Sequence, residues 1–189
     1  MKKLMLAFAV VVIAAVTNAA SVNWTASNVY QGWTGGDASA KASGVVGYLF
    51  FADEISVADM TAALSGAEGA KYTMAEALAK GYSAQTSSSA GKYAGSATPT
   101  DVPTSYHGNT MDAYAVIFNA ATTDTASYFY IMPETSKSIA ATGSTAFAFG
   151  TQATASAQSS SWTAVAPEPT SGLLMLVGLA GLALRRRRA

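Results

Sequence analysis

The stretch "MDAYAVIFNA", residues 111–120, is followed after a short polar link by "SYFYIM", residues 127–132. Both runs are rich in β-branched and aromatic residues, which favour strands. Ala121 to Thr125 between them are few and polar, so the pair reads as an antiparallel hairpin. Successive side chains of a strand point to opposite faces. Tyr114, Val116 and Phe118 therefore share one face of the first strand and Ile117 lies on the other, while Tyr128 and Tyr130 alternate with Phe129 and Ile131. Bulky side chains on both faces mean that both faces must be covered.

Other segments follow outward from it. "SGVVGYLFFADE" (43–54) reads as a strand, "STAFAFGT" (144–151) and "SSWTAV" (160–165) as short ones, and "NWTASNVYQGW" (23–33) as a source of one or two more. Two helices interrupt the β pattern. Ser56 with Asp59 three residues later starts one, carrying Val57, Met60, Ala63 and Leu64 at helical spacing and ending at Gly66. Thr73 with Glu76 forms a capping box for the second, which stops near Lys80 and Gly81. Residues 83–110, polar and punctuated by Gly and Pro, read as a loop, and 151–161 as a Thr/Ser/Ala approach to a stalk. The expected class is α+β: a mostly antiparallel sheet or sandwich of about five to seven strands, with two short helices near 56–66 and 73–80, and a hydrophobic helix at each end of the chain.

The ends differ from this middle. Lys2 and Lys3 precede an apolar run from Leu4 to Val16, and small residues follow up to Ala19 and Ala20. That order is the layout of a secretory signal peptide, with cleavage expected after Ala19 or Ala20 by signal peptidase, following passage into the export channel. At the other end, Pro167-Glu168-Pro169 precede thirteen Gly, Ala, Leu, Met and Val residues from Gly172 to Leu184, then Arg185, Arg186, Arg187 and Arg188. A helix of that length spans about 20 Å, short of a hydrocarbon core of about 30 Å, but arginine snorkelling and local thinning of the bilayer accommodate the difference. The arginines form a stop-transfer cluster that holds the tail in the cytoplasm. The organisation expected is a signal peptide (1–20), an extracytoplasmic domain (21–165) and a C-terminal tail (166–189) with a transmembrane helix at 172–184.

This tail resembles the PEP-CTERM protein-sorting signal of Gram-negative bacteria. The Pro-Glu-Pro motif, the apolar helix and the terminal Arg cluster are all present in order. The resemblance implies a partner, an exosortase: an integral-membrane, transpeptidase-like enzyme that cuts near the motif. It implies transient residence in the inner membrane and then passage to the cell surface, outer envelope or extracellular matrix, in bacteria that produce exopolysaccharide. By the same resemblance, exopolysaccharide is an expected partner of the domain.

Composition excludes several other functions. The chain has 189 residues and no Cys, so disulfides, thiolate nucleophiles and Cys-based metal sites are ruled out. Between residues 20 and 166, five Lys stand against six Asp and four Glu, leaving −5, the wrong sign for a nucleic-acid partner. His107 is the sole histidine. Ser105, Asp101 and Asp112 are near it in sequence, but a triad is a spatial relation, and His107 reads as a loop residue. Asp53-Glu54 and Asp37 offer oxygen ligands without Ca²⁺-loop spacing. The Gly-rich 31–44 segment lacks the Lys-Ser/Thr of a phosphate loop and reads as a turn. Asn23-Trp24-Thr25 fits a glycosylation sequon, discounted beside a bacterial tail. No catalytic residue, metal or cofactor is assigned. The leading expectation is a non-enzymatic surface protein with a structural, adhesive or matrix role. The alternatives are a surface glycan hydrolase, needing two facing carboxylates among residues such as Glu54, Glu68, Glu76 and Glu134, and a single-pass membrane protein whose tail is never cut.

Overall fold

The structure, a computed structural model, describes residues 19–87, 92, 100–149 and 161–166. Both expected terminal helices, the transmembrane segment at 172–184 among them, lie outside the described residues. The rest is mostly antiparallel β structure with two helices. Nine strands occur among the described residues, more than the five to seven expected, because several are short and polar.

The 111–120 stretch forms the central strand. β5 (Thr110–Phe118) pairs antiparallel with β2 (Val46–Phe51) on one side. On the other it pairs with β6 (Tyr128–Ile131) and, nearer its start, with β7 (Thr135–Ser138). The larger sheet has six strands, with β3 (Tyr82–Thr86) beyond β2 and β9 (Thr163–Ala164) beyond β6. The hairpin link carries a 3₁₀ turn, Thr123–Thr125. Asn119 Oδ1 closes the hairpin by accepting from the amides of Ser127 and Tyr128, each at 2.9 Å.

Each face of β5 has its own core. Tyr114, Val116 and Phe118 pack with Phe50 against Met60, Ala63 and Leu64 of α1 (Val57–Leu64) and Ala77 of α2 (Met74–Leu78). Ala113, Ala115 and Ile117 face the opposite layer, a three-stranded sheet. In it β1 (Ala20–Thr25) lies between β4 (Thr100–Asp101) and β8 (Gly143–Ala148). The β1–β8 pairing is parallel over six residues, an exception to the antiparallel rule elsewhere. The small alanines of β5 leave room on that side for Trp24 of β1 and Phe147 of β8, both fully buried. Trp24 needs a second concession, at Gly47: a Cβ there would sit 3.0 Å from the indole.

Both helices start as their sequences predict. Ser56 accepts from the Asp59 amide at 3.1 Å, and Thr73 and Glu76 cap each other reciprocally. Gly66, at φ 63°, follows the C-cap of α1, the left-handed position glycine tolerates without strain. The loop reading of 83–110 is corrected by two strands. β3 escapes a hydrophobic-pattern search because its inward residues, Ser83 and Gln85, are polar. They join the two sheets through β1: Trp24 Nε1 donates to the Ser83 carbonyl at 2.6 Å, Ser83 Oγ and Gln85 Nε2 donate to Asn23 Oδ1 at 3.1 Å, and Gln85 Nε2 also donates to the Trp24 carbonyl. A buried polar group retained this way must be satisfied, so the network also holds the layers in register. β4 forms the second correction, a two-residue edge paired with β1.

Candidate functional site

The C-terminal end of the domain is built from four successive anchors. Trp162 lies nearly perpendicular to Trp33, with centroids 4.8 Å apart, and tilts against Tyr130 at 5.6 Å. Next, Thr163 and Ala164 form β9 opposite Phe129 and Tyr128. The Val165 amide then donates to the Ser127 carbonyl at 2.9 Å, and the Val165 side chain packs on the helix-side core. Last, the Ala166 amide donates to the Leu64 carbonyl at 2.8 Å, at the open C-terminal end of α1 where carbonyls lack helical partners. Gly66 makes this approach possible, since a Cβ there would meet the Ala166 Cβ at 2.6 Å. The chain is therefore held to the body up to the residue before Pro167. The short strand expected within 160–165 is present as β9, and 162–166 lie against the sheet; of the 151–161 stretch read as the approach to a stalk, residues 151–160 lie outside the described residues.

Beside this exit lies a groove of about 470 Å³. Its apolar lining comes from Met74, Ala126, Val165 and Ala166, and its polar lining from the 123–127 turn, including Asp124 and Ser127. Asp124 and Ser127 are exposed. Sequence reading found the strand at 160–165 but neither the groove nor the pinning of Ala166. The available signal was Trp162, a large apolar ring at the end of a run of Ser, Thr and Ala.

The sequence-predicted sites fall as follows. Ala19 is exposed, whereas Ala20 opens β1, is fully buried and pairs with Gly143; its carbonyl accepts from the Val102 amide at 3.0 Å. Pro167, Glu168, Pro169 and Arg185 to Arg188 lie outside the described residues. His107 follows the 3₁₀ turn Thr104–Tyr106, and its Nε2 is buried with no hydrogen-bond partner among the described residues. No hydrogen bond among the described residues connects it to Ser105, Asp101 or Asp112. Asp112 instead accepts from the Ser136 hydroxyl. Asp37 accepts from the Ser39 hydroxyl at 2.6 Å and the Ser39 amide at 2.9 Å, and these bonds hold its carboxyl below the usual range in a surface turn. Asn23 of the sequon is committed to the β1–β3 network.

Glu54 carries a carboxylate held by two phenols. Its Oε1 accepts from the Tyr82 hydroxyl at 2.5 Å and the Tyr106 hydroxyl at 2.8 Å. Burial first, and the hydrogen bond to the carboxylate second, push both phenols well above the usual tyrosine range, so they remain neutral donors. Both rings meet Phe51 edge-on, at 5.1 and 5.0 Å. The triplet ties the end of β2 to β3 and to the 104–106 turn. Glu76 is spent on the α2 capping box. Among the described residues, no group of three or more His, Asp or Glu is placed to hold a metal ion. No helix among them is long and apolar enough to cross a membrane.

Comparison with known proteins assigns the tail. The family model of the PEP-CTERM protein-sorting motif matches residues 165–188. The match begins at Val165 and Ala166, two residues hydrogen-bonded to the domain body. The motif implies an exported protein directed to the cell envelope or surface and processed by an exosortase, a transpeptidase-like partner. No curated protein and no solved structure matches the chain.

Proposed function

We propose that this chain is a non-enzymatic structural or adhesive component of the cell surface or extracellular matrix, released from a transient membrane stage by cleavage near Pro167 to Pro169. The observation that carries this reading is the continuity of domain and motif. The body ends in Ala166, pinned to Leu64, and the sorting motif spans 165–188, so the two-layer domain is the cargo of the tail. The placement of aromatic residues supports a packed building unit. Among the described residues every Trp, Tyr and Phe is buried or partly buried, so the rings serve the cores. Exopolysaccharide would then be contacted through the polar surface of the domain and not through an open aromatic platform. The Glu54 arrangement supports the same reading, because a carboxylate held by two neutral phenols acts as a fixed tie between strands.

The test is the intact mass of the protein recovered from the envelope and medium of its native host. A chain beginning at Ala20 or Ser21 and ending within 167–169 is expected. Recovery of the mature pool with the RRRRA terminus intact refutes the processing step and leaves a membrane-tethered domain. Release of reducing ends from matrix glycans by the purified domain refutes the non-enzymatic role.

A further inference from the structure

The distance available between the last pinned residue and the cleavage region is very small. A fully extended chain covers at most about 3.6 Å per residue, so Pro169 lies within about 11 Å of Ala166 along any path. By the same bound, Gly172, where the apolar segment begins, lies within about 22 Å. A folded enzyme that closes on residues 167–169 while Ala166 remains on Leu64 must therefore touch the domain surface around the exit. The surface there is the groove lined by Met74, the 123–127 turn, Val165 and Ala166.

We infer that this groove is the seat of the tail-processing transpeptidase, so that the domain body, and not the tail alone, forms part of the substrate surface. The inference rests on the processing reading above. The chemistry of the groove defines what it fits: half-buried apolar lining from Met74, Ala126 and Val165 takes an apolar projection, and the exposed Asp124 carboxylate takes a cation or hydrogen-bond donor of the enzyme. Half-buried apolar residues beside exposed polar ones are the usual composition of a protein interface. Membrane geometry points the same way, because the enzyme is embedded in the bilayer and the short tether holds this face of the domain towards it.

The experiment follows tail removal by intact mass after induction of the full chain in its native host. The double variant Asp124→Arg/Ser127→Arg changes two exposed side chains and reverses the charge there. It should keep the wild-type melting temperature and slow tail removal roughly tenfold, as unfavourable rim charges slow association. A flexible Gly/Ser spacer of about twelve residues between Ala166 and Pro167, with an r.m.s. span of about 20 Å, should restore the rate by freeing the motif from the body. Normal processing of the unspaced variant, or a defect unchanged by the spacer, overturns the inference. A second variant separates seating from detachment. Tyr128 and Ala164 are register partners, and the chain has no cysteine of its own, so Tyr128→Cys/Ala164→Cys locks β9 to β6. The oxidised lock should be processed at the wild-type rate. If it is blocked, the strand must peel away before cleavage, and the seat is refuted. A wild-type chain that keeps its tail refutes the processing reading itself, so the two failures are distinguishable.

Discussion

Replacing Trp162 tests whether the C-terminal segment belongs to the fold. Trp162 is 9% exposed and contacts Trp33 and Tyr130. An aromatic side chain of this kind buries about 200 Å², which at about 25 cal/mol per Å² contributes about 5 kcal/mol. Ordering the ring and the tail residues offsets roughly 1–2 kcal/mol of that. Trp162→Ala should therefore destabilise the domain by about 3 kcal/mol, at the low end of the range for large aromatic truncations. At roughly 4 °C per kcal/mol for a domain of this size, the melting temperature should fall by roughly 12 °C. Trp162→Phe sharpens the test. The indole Nε1 is buried without a hydrogen-bond partner among the described residues, and an unsatisfied buried donor costs about 1–3 kcal/mol. Phenylalanine removes that cost while losing some area, so its stability should lie within about 1 kcal/mol of wild type. Urea titration of a chain spanning 20–166, followed by far-ultraviolet circular dichroism, measures both. A Trp162→Ala loss below about 1 kcal/mol would refute the reasoning, because the segment would then be a stalk resting on the domain.

Two further outcomes follow. Tyr82, Tyr106 and Tyr114 are all made weaker acids than an ordinary tyrosine, their pKa raised above 10.0 by burial first in each case. A group whose folded-state value is raised gives stability that is present below the unfolded value and lost as the pH rises towards the folded one. The urea midpoint should hold up to about pH 10 and then fall, and a Tyr82→Phe/Tyr106→Phe pair should flatten that fall; equal alkaline slopes in the two chains would refute the assignment. Gly47→Ala places a methyl group 3.0 Å from the Trp24 ring and should cost about 1–3 kcal/mol by overpacking, visible as a lowered urea midpoint and a shifted tryptophan emission; a neutral substitution would show that the two sheets do not meet there.

Much of the helix-side core was legible. The alternation of Tyr114, Val116 and Phe118 with Ile117 announced a strand covered on both faces, and Ser56 and Thr73 announced both helix starts, because pleat and capping are local physics. β3 was not legible, since Ser83 and Gln85 are buried through partners on β1, some 60 residues earlier, and such pairings have no local signature. The parallel pairing of β1 with β8 was hidden for the same reason.

The candidate site divides along the same line. The sequence by itself determined the destination of the protein, because the order of Pro-Glu-Pro, apolar run and arginines is linear chemistry that works without a fold, and the sorting-motif match at 165–188 bears it out. Only the tertiary structure decided how the end of the body is held. The sequence put Val165 at the end of an expected strand and Ala166 in the tail, with nothing to show what fastens either of them. They are held to the domain because the Ser127 and Leu64 carbonyls are open to receive their amides, and because Gly66 lacks the side chain that would exclude Ala166. Hydrogen bonds between residues so far apart exist only once the two cores have packed.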